Sequence, residues 1–480
     1  MDRIIEYVDA TNDILWSYIV VAMMVVCAVY FTVRSRGVQF TLLRDMLKIV
    51  VDKPIFRHLP PNVQHREQAA EDQLKKIGSF QAFTVSLSSR VGTGNLAGVA
   101  SAIFVGGPGA VFWMWVMALL CAATAFVEST LAQLYKRRGK DSFYGGPAYY
   151  MEYGLHRRWM GLLFAVLITL TFGMANQVIQ SNTLCDAVSD AFGFDRMWIG
   201  VAITIATLFI IFGGIRRISH FVGVCVPFMA LGYIALSVFV LLVNFTEIPA
   251  MFQLIVRSAF GMEQAVGGAF GVAVMQGVKR GLFSNEAGEG SAPNAAAIAT
   301  TSHPVKQGLL QSLGVFADTI VICTCTAFVI LLSGLYDAGS DGIILTKHAF
   351  ESHVGAAGGY FITIAIFLFA YSTIIGNYFY GETNVRFLSG GSRAWVVAFR
   401  LITGAVVMAG ALVTLQTAWS FADLAMGAMT LVNLLAIIQL SPQVFTLLRD
   451  YREQRCSGHD PHFCKTSLPP HIARDVECWE

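Results

Sequence analysis

The chain has 480 residues, 55% of them hydrophobic and 13% charged, where soluble domains carry about 25% charged residues. A mean hydropathy of +0.60 places it in a lipid bilayer and leaves no room for a large soluble domain. Its net charge of +2 is not gathered into a basic patch with interleaved aromatics, which excludes a nucleic-acid partner.

From Met1 to Asp13 the chain is acidic and lacks the positive start of a cleavable signal, so the first apolar run reads as a retained helix. Eleven spans are expected, at about 15–33, 79–103, 107–135, 160–188, 197–213, 220–243, 264–286, 306–333, 356–386, 394–413 and 418–445. With the N-terminus outside, Arg3, Arg196, Arg257 and Lys347 stay outside and Arg90 sits in a span. Every other Lys and Arg then falls on the cytoplasmic side, which fixes the orientation and brings the C-terminus inside. Residues 1–34 form an acidic N-terminus and an extra first helix, and residues 35–78 a cytoplasmic loop. In that loop Glu67, Glu71, Asp72, Lys75 and Lys76 suit an amphipathic helix lying on the membrane.

Two spans have unusual backbone chemistry, the stretch from Ser88 to Gly98 and the stretch from Ala265 to Gly271. Each glycine costs roughly 1 kcal/mol against alanine in a helix interior, and clustered glycines permit a break that turns backbone groups toward a cavity. The breaks open the second and seventh spans, so residues 79–243 and 244–448 read as two inverted five-helix halves of a secondary transporter. The alternative is that the glycines serve close helix packing, which suffices for Gly106 to Gly109. Around the first break the polar Arg90, Thr93 and Asn95 favour a site.

Six of the nine cysteines, namely Cys27, Cys121, Cys185, Cys225, Cys323 and Cys325, lie in apolar segments and imply no disulfide framework. The tail, residues 449–480, holds Cys456, His459, His462 and Cys464 in a crowding that fits no standard zinc finger, and a disordered tail is expected. No H-E-x-x-H, G-x-S-x-G or G-x-x-x-x-G-K-[ST] sequence occurs, which argues against an intramembrane enzyme and an ATP-driven pump. A channel or sensor built on a transporter fold stays open.

The run RVGTGNLAGVA from Arg90 to Ala100, GGPGAVFWMW from Gly106 to Trp115 and GLFSNEAGEGSAP from Gly281 to Pro293 resemble the alanine or glycine:cation symporter family. So do the stretches from Phe126 to Ala132, Gly145 to Tyr150, Phe212 to Arg217 and Tyr371 to Gly376. The resemblance implies an all-α, leucine-transporter-type fold of five plus five helices preceded by one extra helix, in the inner or plasma membrane. It implies a small neutral amino acid as substrate, sodium as the coupling ion and no cofactor. The half-helix beginning near Gly92 would offer unpaired N–H groups to the substrate carboxylate.

On this reading Gly92, Thr93, Gly94 and Asn95 hold the substrate, Gln180 presents a polar side chain to it, and backbone around Gly267 and Gly268 lines the opposite wall. Thr93 could instead bond within its own helix and Gln180 across to a neighbour. Sodium is expected at the hydroxyls of Ser372 and Thr373 with carbonyls near Ser88, Val91 and Phe369, unless those hydroxyls bond to the preceding helical turn. Arg90 needs an anionic partner. Lys279, Arg280, Glu286 and Glu289 resemble an inner-gate cluster, either ion pairs that open and close or a static network. Glu128, Asp318 and Glu382 fall within or near spans, where an ionisable group is functional by default; for Glu128 and Glu382, toward the cytoplasmic ends, pairing with Arg or Lys to orient helices is an equal alternative. The chain departs from the family at Asn377, where many members carry a tryptophan. If Asn377 faces the substrate, it adds room, a donor and an acceptor. Alanine or glycine is then the first expectation, glutamine or asparagine the alternative, and a proton-coupled carrier a further one.

Overall fold

The computed structural model describes residues 2–51, 77–139, 142–261, 267–337, 342–413 and 416–479. The expected amphipathic stretch from Glu67 to Lys76 lies outside these residues; before it, Leu43–Val51 is helical. Apart from a two-residue hairpin, β1 (Arg137–Arg138) with β2 (Phe143–Tyr144), the described chain is built from helices.

Eight helices among the described residues are long and apolar enough to cross a membrane. They are α1 (Ala10–Arg34), α4 (Gly109–Leu134), α5 (Arg158–Phe192), α7 (Gly214–Val243), α11 (Pro304–Ser333), α13 (Ala356–Leu388), α14 (Arg393–Leu412) and α15 (Ser420–Cys456). Each matches one of the expected spans. The other three expected spans hold helices that are too short or too little apolar to count alone. One is α6 (Arg196–Ile211). The other two are interrupted: α2 (Ser79–Arg90) gives way to α3 (Gly94–Gly106), and α9 (Gly267–Asn285) to α10 (Ala292–Ala296). Two further helices, α8 (Ile248–Ala259) and α12 (Gly342–Val354), lie in connections read as loops.

The second interruption is not where its glycines suggested. Helix α9 runs unbroken from Gly267 through Gly271, and its later glycines serve packing. A Cβ on Gly277 would meet the Ala110 carbonyl of α4 at 2.4 Å. The chain unwinds instead over 286–291, where Glu286, Gly288 and Gly290 have φ of 53°, 87° and 83°. An α-helix cannot continue through left-handed residues, and Pro293 restarts it in the first turn of α10.

The tail is ordered, against expectation. The Phe463 amide donates to the Ser302 carbonyl at 2.8 Å and Lys306 pairs with Asp460 at 2.5 Å. The Trp479 indole donates to the Gln133 carbonyl at 3.0 Å, with the Lys136 ammonium 4.6 Å from its ring centroid. Phe463, Leu468, Val476 and Trp479 are buried, so the apolar residues between the polar ones dock the tail onto the ends of α4, α11 and α15. Removing the Trp479 ring therefore undocks the segment. Trp479→Ala should lower the melting temperature in detergent by several degrees and open the last twenty or so residues to limited proteolysis.

Candidate functional site

The two interruptions face each other inside the bundle and are held by side chains that replace the missing helical hydrogen bonds. Asn95 accepts from the Gly92 amide at 2.9 Å and donates to Ser284 Oγ (3.1 Å) and Asp318 Oδ1 (2.5 Å). Asp318 also takes the Ser284 hydroxyl at 2.7 Å and that of Thr319 at 3.0 Å. Asn95 thus ties the break between α2 and α3 to α9 and α11, with its amide spent on the protein; it does not line the cavity between the breaks. On the other break, Glu128 of α4 accepts the Gly288 amide at 3.1 Å, and Asn433 of α15 bridges Glu128 and the Gly288 carbonyl, both at 2.9 Å. Glu128 therefore caps unwound backbone and is not paired with Arg or Lys. Glu382 is so paired, with Arg386 at 2.6 Å and Arg400 at 3.3 Å.

Between the breaks lies a cavity of about 20 Å³, room for little more than a water. Gly92, Gly94, Gln180, Thr373 and Asn377 line it, and so do Arg90 and Glu286. Glu289 of the expected gate cluster lines it too, and the structure adds Ser89 and Asn176, with Phe172, Phe283 and Met426 completing the lining. Asn176 and Gln180 sit one turn apart on α5, an i,i+4 spacing that could have flagged Asn176 from Gln180. The bulky apolar residues carry no such signal. The wall beside the second break comes from Phe283, Glu286 and Glu289, where α9 ends.

Gln180 and Thr93 make a closed pair: the amide oxygen of Gln180 accepts from the Thr93 N–H at 3.4 Å, and its nitrogen donates to Thr93 Oγ1 at 2.9 Å. The Gln180 oxygen occupies the position on the Thr93 amide that a carboxylate oxygen would take. One step away Thr373 of α13 donates toward two carbonyls at the end of α2, Ser88 at 2.9 Å and Val91 at 3.3 Å. Close approach permits this. A Cβ on Gly376 would fall 2.6 Å from Ser88 Oγ, and one on Gly92 would fall 2.5 Å from Thr373 Oγ1. The Ser372 hydroxyl bonds to the Phe369 carbonyl of its own helix at 3.0 Å. The oxygen-only donor set at the negative end of a helix suits a hard monovalent cation.

Arg90 is 2% exposed, and its Nη1 donates to the Gln311 carbonyl of α11 at 3.0 Å. Its partner is thus a main-chain oxygen, reached because Gly314 has no side chain: a Cβ there would lie 2.3 Å from Nη1. Nε and Nη2 have no hydrogen-bond partner. Glu286 receives the Ser89 hydroxyl at 2.7 Å and the Ser291 hydroxyl at 2.5 Å. Ser89 Oγ also lies 2.6 Å from Asn377 Oδ1, and Asn377 Nδ2 has no partner. Asn377 Oδ1 and Glu286 thus share the single proton of the Ser89 hydroxyl, and the other end of the Asn377 amide is left to the cavity. Lys279, grouped with these residues from sequence, pairs elsewhere, with Asp423 of α15 at 3.1 Å.

Paired broken helices around a small polar cavity, in a bundle with eight helices long and apolar enough to cross a membrane among the described residues, make a multi-pass membrane protein of the leucine-transporter-type fold, and the family it belongs to makes it a transporter. The crystal structure of MhsT in complex with L-phenylalanine shares the fold, with a TM-score of 0.55 over 78% of this chain and 99% of that one, at 12% identity. The model of the sodium:alanine symporter family matches residues 1–465, and the chain belongs to that family. It is 48% identical to the probable sodium/glutamine symporter GlnT of Bacillus subtilis over 100% of this chain and 97% of that protein. It is 44% identical to the amino-acid carrier protein AlsT of the same organism, over 98% and 97% of the two chains. With the sodium/alanine symporter AgcS of Methanococcus maripaludis it shares 37% identity over 94% and 98%.

Arg90 is a buried cation beside the cavity with two donor nitrogens, Nε and Nη2, that have no partner among the described residues. Arg90→Ala should abolish uptake while the protein still reaches the membrane, measured by transport and surface abundance together. Wild-type uptake by the variant would reduce Arg90 to a helix anchor on Gln311.

Proposed function

We propose that the chain is a sodium-coupled symporter for a neutral amino acid, that glutamine is within its substrate range, and that it works by alternating access. The observation that carries the reading is Asn377, which turns a hydrogen-bonding amide into the cavity. An amide offers a substrate side chain a polar partner. The 48% identity to a probable sodium/glutamine symporter is in keeping with it. Alanine or glycine is the second reading, favoured by the relative named as a sodium/alanine symporter and by a cavity of about 20 Å³ that must widen for any longer substrate.

In the loaded state the amides of Thr93 and Gly94 take the carboxylate once Gln180 turns away. The sodium ion sits at Thr373 Oγ1 with the carbonyls of Ser88 and Val91, joined by the Ser372 hydroxyl and the Phe369 carbonyl. The lysine and arginine asymmetry supports an N-terminus outside and a C-terminus in the cytoplasm, in the plasma or inner membrane. Residues 79–243 and 244–448 form the two halves, each led by its interrupted helix.

Thr373→Ala removes a hydroxyl at the junction of α2 and α13, so the sodium concentration for half-maximal uptake should rise at least about tenfold; unchanged sodium dependence would place the ion elsewhere. The substrate is tested by competition of labelled alanine uptake with unlabelled glutamine. Glutamine should compete in the wild type and fail in Asn377→Trp, and equal competition in both would show that residue 377 does not read the substrate.

A further inference from the structure

The acids buried around the two breaks are nearly all supplied with donors. Glu286 has two serine hydroxyls, Glu128 a backbone amide and an asparagine, and Asp318 an asparagine and two hydroxyls. Glu289 differs. It is 1% exposed, neither carboxylate oxygen has a hydrogen-bond partner among the described residues, and it lines the same cavity as Asn377 and Arg90. A buried carboxylate without donors is strongly disfavoured unless something arrives to supply them. Its place on the left-handed turn between Gly288 and Gly290 keeps it from retreating into a helix.

The geometry points to Glu289 as the residue that reads the substrate's side chain, its carboxylate accepting the N–H₂ group of a terminal carboxamide while Asn377 Nδ2 donates to the carboxamide oxygen. This rests on the reading that the substrate is a neutral amino acid with glutamine in range. A carboxamide presents donors and an acceptor on adjacent atoms, and the cavity offers the complement of each. An alkyl side chain leaves both protein groups unpaired. A glutamate side chain brings only acceptors and a second negative charge to Glu289, so the same residue that admits glutamine rejects its acid. Arg90, also on the wall, offsets the charge of one of the two lining carboxylates, and sodium at Thr373 offsets the other.

The test is uptake of labelled glutamine and labelled alanine by the full chain in proteoliposomes, for the wild type, Glu289→Leu and Glu289→Gln, each across a sodium titration. Glu289→Leu should lower the ratio of glutamine to alanine kcat/KM by at least about tenfold, the loss expected for a hydrogen bond to a charged group. Glu289→Gln keeps an acceptor and loses the charge, so its ratio should fall less and unlabelled glutamate should begin to compete. Equal loss for both substrates, or a change confined to half-saturating sodium, would assign Glu289 to charge balance and overturn the proposal. If the leucine variant does not assemble, the glutamine variant decides by glutamate competition, whose absence is again fatal. A wild type that takes up no glutamine at all sinks the substrate reading itself, before any variant is compared.

Discussion

Main chain that leaves the helix in the middle of a membrane bundle has no water to satisfy it, and most of the polar residues at the centre of this protein answer that requirement. The Gly92 amide is met by Asn95, the Gly288 amide by Glu128, and the Gly288 carbonyl by Asn433. Each capping side chain is fixed in turn by another helix: Asn95 by Asp318 and Ser284, Glu128 by Asn433. The breaks are thus shared among α4, α9, α11 and α15. Their shapes depend on one another, because displacing any of these helices strands a buried polar group.

The same constraint sorts the glycines. Gly288 and Gly290 hold backbone angles that other residues rarely adopt, and they sit where the chain unwinds. Gly92, Gly314 and Gly376 are needed for contact: a side chain on any of them would collide with Thr373, Arg90 or Ser88. Arg90 illustrates how such contacts substitute for charge pairing. Its guanidinium lies at the C-terminal end of α2, where helix carbonyls carry partial negative charge, and a glycine on α11 admits it to one more carbonyl.

Much of this was legible in the sequence. Apolar runs of spanning length are a composition signal, and eight of the eleven expected spans found a helix long and apolar enough to cross a membrane. The first break was readable because polar residues and glycines coincide from Arg90 to Gly98. The second was misplaced because glycine content alone does not distinguish packing from unwinding. Gly267 to Gly271 stay helical, and the break falls in the SNEAGEGS stretch, which was recognised as a motif but not as a turn. Long-range partners were the least accessible. Neither the use of Asn95 on Asp318, 223 residues away, nor the pairing of Lys279 with Asp423 follows from local pattern. The tail was misread by attending to its cysteines and histidines, whereas Phe463, Leu468, Val476 and Trp479 determine its placement.

The contraction of the cavity also has a physical source. Gln180 closes on Thr93 through two hydrogen bonds, and the Thr373 hydroxyl closes on the carbonyls of Ser88 and Val91. Both closures join α2 or α3 to the opposite wall, one through α5 and the other through α13. A ligand that takes over the Thr93 amide releases the first, and a cation that takes over the two carbonyls releases the second. The released groups are then donors and acceptors facing the ligand, so the hydrogen bonds are exchanged instead of lost. The two exchanges meet in three consecutive residues, Val91, Gly92 and Thr93. On the proposed sites, backbone adjustment there for one ligand would shift the groups offered to the other, and that adjacency would link ion and substrate occupancy.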